Sequence, residues 1–181
     1  MTIVSVAGGI MGGEPLRQPV VCFVGRKNAG KTTLMEKVIT GLRAAGHRVA
    51  AVKHDAHRFE IDHPGKDSFR FTAAGADITV ISSRDQTAVV LQHREEIPLE
   101  TIVARFVEGV DVVLAEGYKA SPFPKIEVHR KTTGDPLFDP PPPGLVAVAT
   151  DERVDTEMPQ LDLHDPGSVV EFIKGAYLGR T

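Results

Sequence analysis

The 181 residues of this chain are 41% hydrophobic and 25% charged, with a formal net charge of −3 at pH 7. This composition is ordinary for a globular chain of one domain and lacks the basic field by which proteins attract nucleic acid. The single cysteine excludes an internal disulfide framework. No apolar run approaches the ~18 residues of a membrane span. We therefore expect a cytoplasmic protein that binds neither nucleic acid nor a membrane.

The first 18 residues are rich in glycine and lack the basic and apolar regions of a signal peptide. We interpret residues 1–18 as a flexible leader and residues 19–181 as one domain. A short apolar run at Val20–Val24 is typical of a strand buried on both faces. Apolar side chains then repeat at helical spacing over 34–42, and Gly46 favours a helix end. A second strand over 48–52 completes a βαβ unit, which implies parallel pairing.

Further elements are predicted along the rest of the chain. They are a helix near 66–75, paired strands at 78–81 and 88–91, a helix over 98–107, strands at 110–115, 125–129 and 145–149, and a closing helix over 167–178. The proline run at 139–144 must be a connector, because proline interrupts helices and sheet interiors. The alternation of strands and helices predicts an α/β fold of three layers, in which helices flank a mostly parallel sheet.

The segment GRKNAGKTT, residues 25–33, matches the phosphate-loop pattern in full. Its glycines allow the backbone to curl so that N–H groups point at phosphate oxygens. The pattern predicts that Lys31 neutralises phosphate charge and that the Thr32 hydroxyl binds Mg²⁺. We therefore assign nucleotide contacts to Gly25, Arg26, Lys27, Asn28, Ala29, Gly30, Lys31, Thr32 and Thr33.

A phosphate loop normally works with a carboxylate at the end of a neighbouring strand. The apolar residues 112–115 end at Glu116, and the carboxyl end of a parallel strand faces the ligand crevice. Glu116 is therefore our candidate for holding Mg²⁺, directly or through water. Asp111 stands at the opposite end of the same strand and is a poor candidate.

The polar stretch 53–77 follows the second predicted strand and starts at the same crevice. One interpretation is a nucleotide-responsive loop in which Asp62 or Asp55 positions water, and Asp62 also contacts the metal. A second is a transition-metal site, with ligands from His54, His57 and His63. A third is a solvated loop without a site. We expect Asp67 and Ser68 to cap the helix that follows.

Several blocks together resemble one family. GRKNAGKTT, KH at 53–54, DHPGKDS at 62–68, AGAD at 74–77, LAEGYK at 114–119 and PKIEVHR at 124–130 are similar, in order over about 19–151, to the molybdopterin-guanine dinucleotide biosynthesis protein B (MobB) family. The resemblance implies a phosphate-loop NTPase fold that binds GTP with Mg²⁺ and usually forms a homodimer. It also implies an adapter with feeble GTPase activity. The family assists a MobA-type guanylyltransferase that joins GMP to molybdopterin.

The chain departs from related patterns at two points. Related dimeric proteins often carry lysine directly after the first loop glycine, where this chain has Arg26, and no [NT]KxD box for guanine is present. Asp151, after the last core strand, is the candidate acceptor for guanine N1 and N2, although it also suits a turn. Direct molybdopterin binding stays open. A small-molecule kinase and a nickel metallochaperone GTPase remain alternative functions.

Overall fold

The computed structural model describes residues 16–55 and 62–179. Its eight strands are β1 (Val20–Val24), β2 (Val49–Lys53), β3 (Ile78–Ser82), β4 (Thr87–Leu91), β5 (Val112–Glu116), β6 (Lys125–His129), β7 (Leu145–Thr150) and β8 (Gln160–Asp162). Six of them form a parallel sheet in the order β2-β5-β1-β6-β7-β8, while β3 and β4 form a separate antiparallel hairpin. The non-sequential order requires crossover connections, as the βαβ pattern predicted.

The helices are α1 (Lys31–Ala44), α2 (Asp67–Ala73), α3 (Leu99–Phe106) and α4 (Pro166–Ile173). A 3₁₀ turn at Lys131–Thr133 follows β6, and a π-helical turn at Lys174–Leu178 extends α4. None of the helices within 16–55 and 62–179 has the length and apolar character needed to cross a bilayer.

Two apolar clusters lie on opposite faces of the parallel sheet. Val21 and Phe23 of β1 pack with residues of α1 and α4, whereas Val20, Cys22 and Val24 pack with residues of α3. Every residue of β1 is buried, which explains its continuous apolar run. Burying one such side chain stabilises the fold by about 1.5–3 kcal/mol. The three-layer arrangement and the phosphate-loop α/β fold are thereby confirmed.

Helix α1 is placed by its apolar face and by its two ends. Leu34, Met35, Val38 and Leu42 are buried against the sheet. The helix begins directly after Gly30, and it ends before Gly46, whose φ of 90° allows its N–H to bond Arg43 O at 3.0 Å. The packed face therefore fixes the helix N-terminus at the carboxyl end of β1, where a bound phosphate would meet it.

Several boundaries differ from the sequence prediction. The expected capping by Asp67 and Ser68 is wrong, because Lys66 occupies the N-cap position of α2 and no side chain caps that end. Helix α3 begins after Pro98, one residue later than predicted. Strand β8 was not predicted, because its three largely polar residues carry no strand signal. Residues 1–15 lie outside the described ranges, so the flexible leader stays a prediction. The last residue of the predicted leader, Gln18, donates from Nε2 to Val107 O at 3.1 Å.

Candidate nucleotide-binding site

The loop between β1 and α1 has a backbone that few residues other than glycine can adopt. Gly25 has a φ of 152°, and a Cβ at that position would lie 2.3 Å from the Val128 carbonyl oxygen of β6. Gly30 has a φ of 93° and Asn28 one of 63°. Positive φ at these positions is the conformation for which glycine, and next to it asparagine, is suited. The two glycines of the motif are thus required by this local geometry, as well as by approach of a phosphate.

Lys31 reaches back over the loop from the first position of α1. Its Nζ donates to Gly25 O at 3.1 Å and to Arg26 O at 2.8 Å. Burial lowers the pKa of Lys31, the negative charge of Glu116 opposes that shift, and Lys53 adds to it. The ammonium group is therefore held by carbonyl oxygens at the loop, where phosphate oxygens are stronger acceptors for the same protons.

Glu116 is placed at the loop by strand register. It is the last residue of β5 and lies opposite Phe23 of β1 and Lys53 of β2. Thr32 Oγ1 donates to Glu116 Oε2 at 2.8 Å. A hydroxyl and a carboxylate are the hard oxygen ligands that Mg²⁺ prefers, so these two residues fit the metal that a phosphate loop implies. The structure thus brings Thr32 and Glu116, both predicted to bind the metal, into direct contact.

Asp62 is not joined to this pair. Its Oδ1 accepts from His63 N at 2.9 Å, and its Oδ2 is buried with no partner among the described residues. No hydrogen bond within 16–55 and 62–179 links it to Thr32 or Glu116. The predicted roles of Asp62 and Asp55 in positioning water stay predictions.

The proposed histidine site can be followed only in part. His54 Nε2 is 2.8 Å from Glu96 Oε1, and its ring lies 5.0 Å from that of Tyr118, while His57 falls outside the described residues. Where the structure describes the chain, no group of three or more His, Cys, Asp or Glu side chains is arranged to hold a metal ion. His54 is instead a link between the end of β2 and the segment before α3.

Asp151 occupies the position predicted for a guanine contact, directly after β7. Its Oδ1 accepts from Lys131 N at 2.7 Å, and Oδ2 lies 3.7 Å from Arg130 Nη1. The Lys131 N–H, with a smaller contribution from Arg130, lowers the pKa of Asp151 against the opposing effect of burial. A carboxylate has about four acceptor sites, so these two contacts leave acceptor sites unused, while the side chain is only 10% exposed.

Arg130 is a contact of the loop that the sequence motifs did not single out. Its Nε donates to Ala29 O at 3.4 Å, and its guanidinium lies beside Gly30, so it connects the phosphate loop to Asp151. Its place at the end of the PKIEVHR block, one residue after β6, was the available signal. Arg26 is also held within the chain, because its guanidinium lies 4.6 Å from the centroid of the Phe138 ring.

Comparisons with known proteins agree with this architecture. The family model for molybdopterin guanine dinucleotide synthesis protein B (MobB) matches residues 20–151. The molybdopterin-guanine dinucleotide biosynthesis adapter protein of Haemophilus influenzae is 32% identical over 86% of this chain and 88% of its own length. The Escherichia coli protein of the same name is 31% identical over 86% of this chain and 91% of its own.

Solved structures lead to the same family. A crystal structure of Bacillus subtilis MobB superposes with a TM-score of 0.70 at 25% identity, over 90% of this chain and 99% of that one. A MobB homolog from Bacillus stearothermophilus gives 0.63 at 25% identity, over 86% and 95%. The family model matches the chain from the start of β1 to just after β7, and the curated relatives agree. This chain therefore belongs to the MobB family.

Proposed function

We propose that this chain is a GTP-binding adapter that acts in the synthesis of molybdopterin guanine dinucleotide. Its relatives are named as adapter proteins of that pathway. GTP with Mg²⁺ binds at the phosphate loop, and a MobA-type guanylyltransferase carries out the transfer of GMP. The adapter itself turns GTP over slowly.

The observation that carries the nucleotide part of this proposal is the contact of Thr32 with Glu116. Three groups of complementary chemistry meet at one edge of the sheet: the Thr32 hydroxyl, the Glu116 carboxylate and the Lys31 ammonium. The carboxylate and hydroxyl would hold Mg²⁺, the ammonium would neutralise phosphate oxygens, and Asp151 would accept from the guanine ring. Bound Mg²⁺ would supply charge neutralisation between the phosphates.

A homodimer is the second part of the proposal, formed through the unit of α2, β3 and β4. Among the residues of these three elements only Thr79 is buried. Phe71 is 62% exposed and Val80 is 59% exposed, and the facing pair Val80 and Val89 leaves apolar surface on the hairpin. An isolated two-stranded hairpin is marginally stable, so its apolar side chains need cover. A second copy offers the same apolar unit, which makes a symmetric contact self-complementary.

A pull-down tests the adapter role. The tagged chain is passed through lysate of its source with GTP and Mg²⁺, with ATP and Mg²⁺, or without nucleotide. We expect a guanylyltransferase to be retained, and retained best with GTP. The purified pair should then form molybdopterin guanine dinucleotide faster than the transferase alone. Equal rates with and without this chain would refute the proposal.

A further inference from the structure

The hairpin unit, formed by α2, β3 and β4, is joined to the rest of the molecule by two segments of chain. The first leaves β2 after Lys53, and the second runs from the end of β4 at Leu91 to the start of α3 at Leu99. Strands β3 and β4 make a two-stranded sheet of their own, separate from the parallel sheet. Contacts between the two segments and the parallel sheet therefore help to set where the hairpin unit stands relative to the phosphate loop.

The two segments meet at His54. Its Nε2 lies 2.8 Å from Glu96 Oε1, and because an ionised carboxylate offers only acceptors, the histidine ring donates. The ring centroid of His54 also lies 5.0 Å from that of Tyr118. Burial raises the pKa of Tyr118, and the charge of Glu96 raises it further, in keeping with a carboxylate close to the phenol. We call His54, Glu96 and Tyr118 the neck of the hairpin unit.

The neck is continuous with Glu116, the proposed metal ligand. His54 N donates to Glu116 O at 2.9 Å, one residue beyond the pairing of β2 with β5. Glu116 Oε2 in turn accepts from Thr32 Oγ1 at 2.8 Å. Gly117 alone separates Glu116 from Tyr118, and a Cβ on Gly117 would lie 3.0 Å from the Cβ of His54. A short stretch of chain and close packing thus connect the phosphate loop to the neck.

Tyr118 has a backbone conformation that a bulky residue rarely adopts. Its φ is 54°, and that of Gly117 is 91°. Left-handed backbone at an aromatic residue costs free energy that the surrounding contacts must offset, and such strain clusters at binding sites and at segments that switch. A change at the Glu116 carboxylate therefore acts on a strained turn that the neck holds in place.

We propose that the neck couples the phosphate loop to the hairpin unit, so that GTP with Mg²⁺ and a second copy of this chain each strengthen the binding of the other. The inference rests on the proposed function, which brings the nucleotide to the loop and the second copy to the hairpin unit. A Glu116 carboxylate fixed by the metal also fixes the turn at Gly117 and Tyr118, and with it the neck. Part of the ordering that the hairpin unit needs for pairing is then already complete, which favours the dimer.

Sedimentation and calorimetry with the full chain test this coupling in both directions. Because typical couplings change affinity by about 5- to 150-fold, we expect saturating GTP and Mg²⁺ to lower the dissociation constant of the wild-type dimer about 10-fold over a dilution series. Coupling is reciprocal, so Val80→Asp, with a charge on the exposed apolar surface of the hairpin, should bind GTP about 10-fold more weakly than the wild-type dimer. A dimer that dissociates equally with and without bound GTP would overturn the inference.

A variant of the neck tests the route of the coupling. His54→Ala removes the ring that contacts Tyr118 and Glu96, while its backbone N–H still donates to Glu116. In folded His54→Ala, checked by circular dichroism, GTP should no longer change the dissociation constant of the dimer. The matched control is His93→Ala, a histidine of the returning segment whose Nδ1 lies 2.6 Å from Glu95 O, and it should keep the wild-type response.

A second variant covers the case in which His54→Ala does not fold. Glu96→Ala removes the carboxylate of the neck from a side chain that is 71% exposed, and it should reduce the effect of GTP on the dimer. The full wild-type effect in both folded variants would exclude the neck as the link. A chain that binds no GTP, or that never dimerises, overturns the inference together with that part of the proposed function, whereas two independent equilibria overturn the inference alone.

Discussion

At the scale of single residues, the proposed nucleotide binding depends on the side chain of Lys31. Replacing it with alanine removes a charge-assisted contact to phosphate worth about 1.5–3 kcal/mol. We expect Lys31→Ala to weaken GTP about 10- to 100-fold by calorimetry, without unfolding the protein. Lys37→Ala, which removes an exposed lysine of α1 outside the loop, is the control and should leave GTP affinity unchanged. Unchanged GTP affinity in folded Lys31→Ala would contradict the phosphate-loop assignment.

Glu127 leads to a prediction about stability and pH. Because burial raises the pKa of Glu127, the folded state holds its proton more tightly than the unfolded state, and the ionised carboxyl destabilises the fold near neutral pH. Glu127→Gln should therefore raise the melting temperature at pH 7.5. The gain in melting temperature should shrink as the pH falls through the raised pKa of the folded state. It should vanish below the ordinary pKa of a glutamate, where the folded and unfolded states are both protonated. Thermal scans between pH 7.5 and 4.5 test this, and a gain that is independent of pH would contradict it.

Asp151 carries the selectivity for guanine in the proposed function. If its carboxylate accepts from guanine, GTP should bind ahead of ATP, and Asp151→Asn should reduce that preference by about 1–3 kcal/mol, by analogy with base readout in nucleic acids. The variant keeps an acceptor for Lys131 N–H, so the loop after β6 should stay in place. Asp85→Asn, in the β3–β4 turn, is the control. Equal affinity of the wild type for ATP and GTP would exclude this role.

At the scale of elements, the strands that could be predicted from the sequence are those whose burial leaves a pattern of apolar residues. Val20–Val24 and Lys125–His129 were predicted with their observed bounds; β1 is apolar because helices cover both of its faces. The loop residues and Glu116 were also predictable, because a motif and a strand end fix them. Arg130 and Glu127 were not, since their importance comes from β6 lying beside β1. A sequence without known strand neighbours does not reveal that a glutamate in β6 is buried beside the loop.

The hairpin of β3 and β4 is the element that should form the dimer. Val80→Asp places a charge on its exposed apolar surface, where a partner copy would have to bury it unpaired. We expect the wild type to sediment as a dimer at micromolar concentration and Val80→Asp as a monomer with the same circular dichroism. Gln86→Asp, in the turn between the strands, is the control and should remain dimeric. A monomeric wild type, or a dimeric Val80→Asp, would exclude this interface.

At the scale of the whole molecule, the sheet order puts the residues proposed for the metal and those proposed for the base on opposite sides of β1. Glu116 comes from β5 on one side, whereas Arg130 and Asp151 follow β6 and β7 on the other. In the proposed function, the metal end and the base end of the site are therefore built from different loops, on either side of the phosphate loop. A partner enzyme that consumes the nucleotide would have to approach over the same carboxyl edge of the sheet, where all these loops end.

This arrangement predicts slow hydrolysis of GTP by the isolated chain. Fast hydrolysis needs a group that positions water and usually an arginine at the transferred phosphate, which alone can contribute 10³–10⁵-fold. The two arginines next to the loop are otherwise engaged, Arg26 on the Phe138 ring and Arg130 between Ala29 O and Asp151. We therefore expect turnover well below ~1 s⁻¹, the lower end of typical enzymes. Phosphate release from GTP and Mg²⁺, with Lys31→Ala as the blank for contaminating activity, measures it. Turnover of several per second without a partner would mean that the chain hydrolyses GTP as its own fuel, and the adapter role would fail.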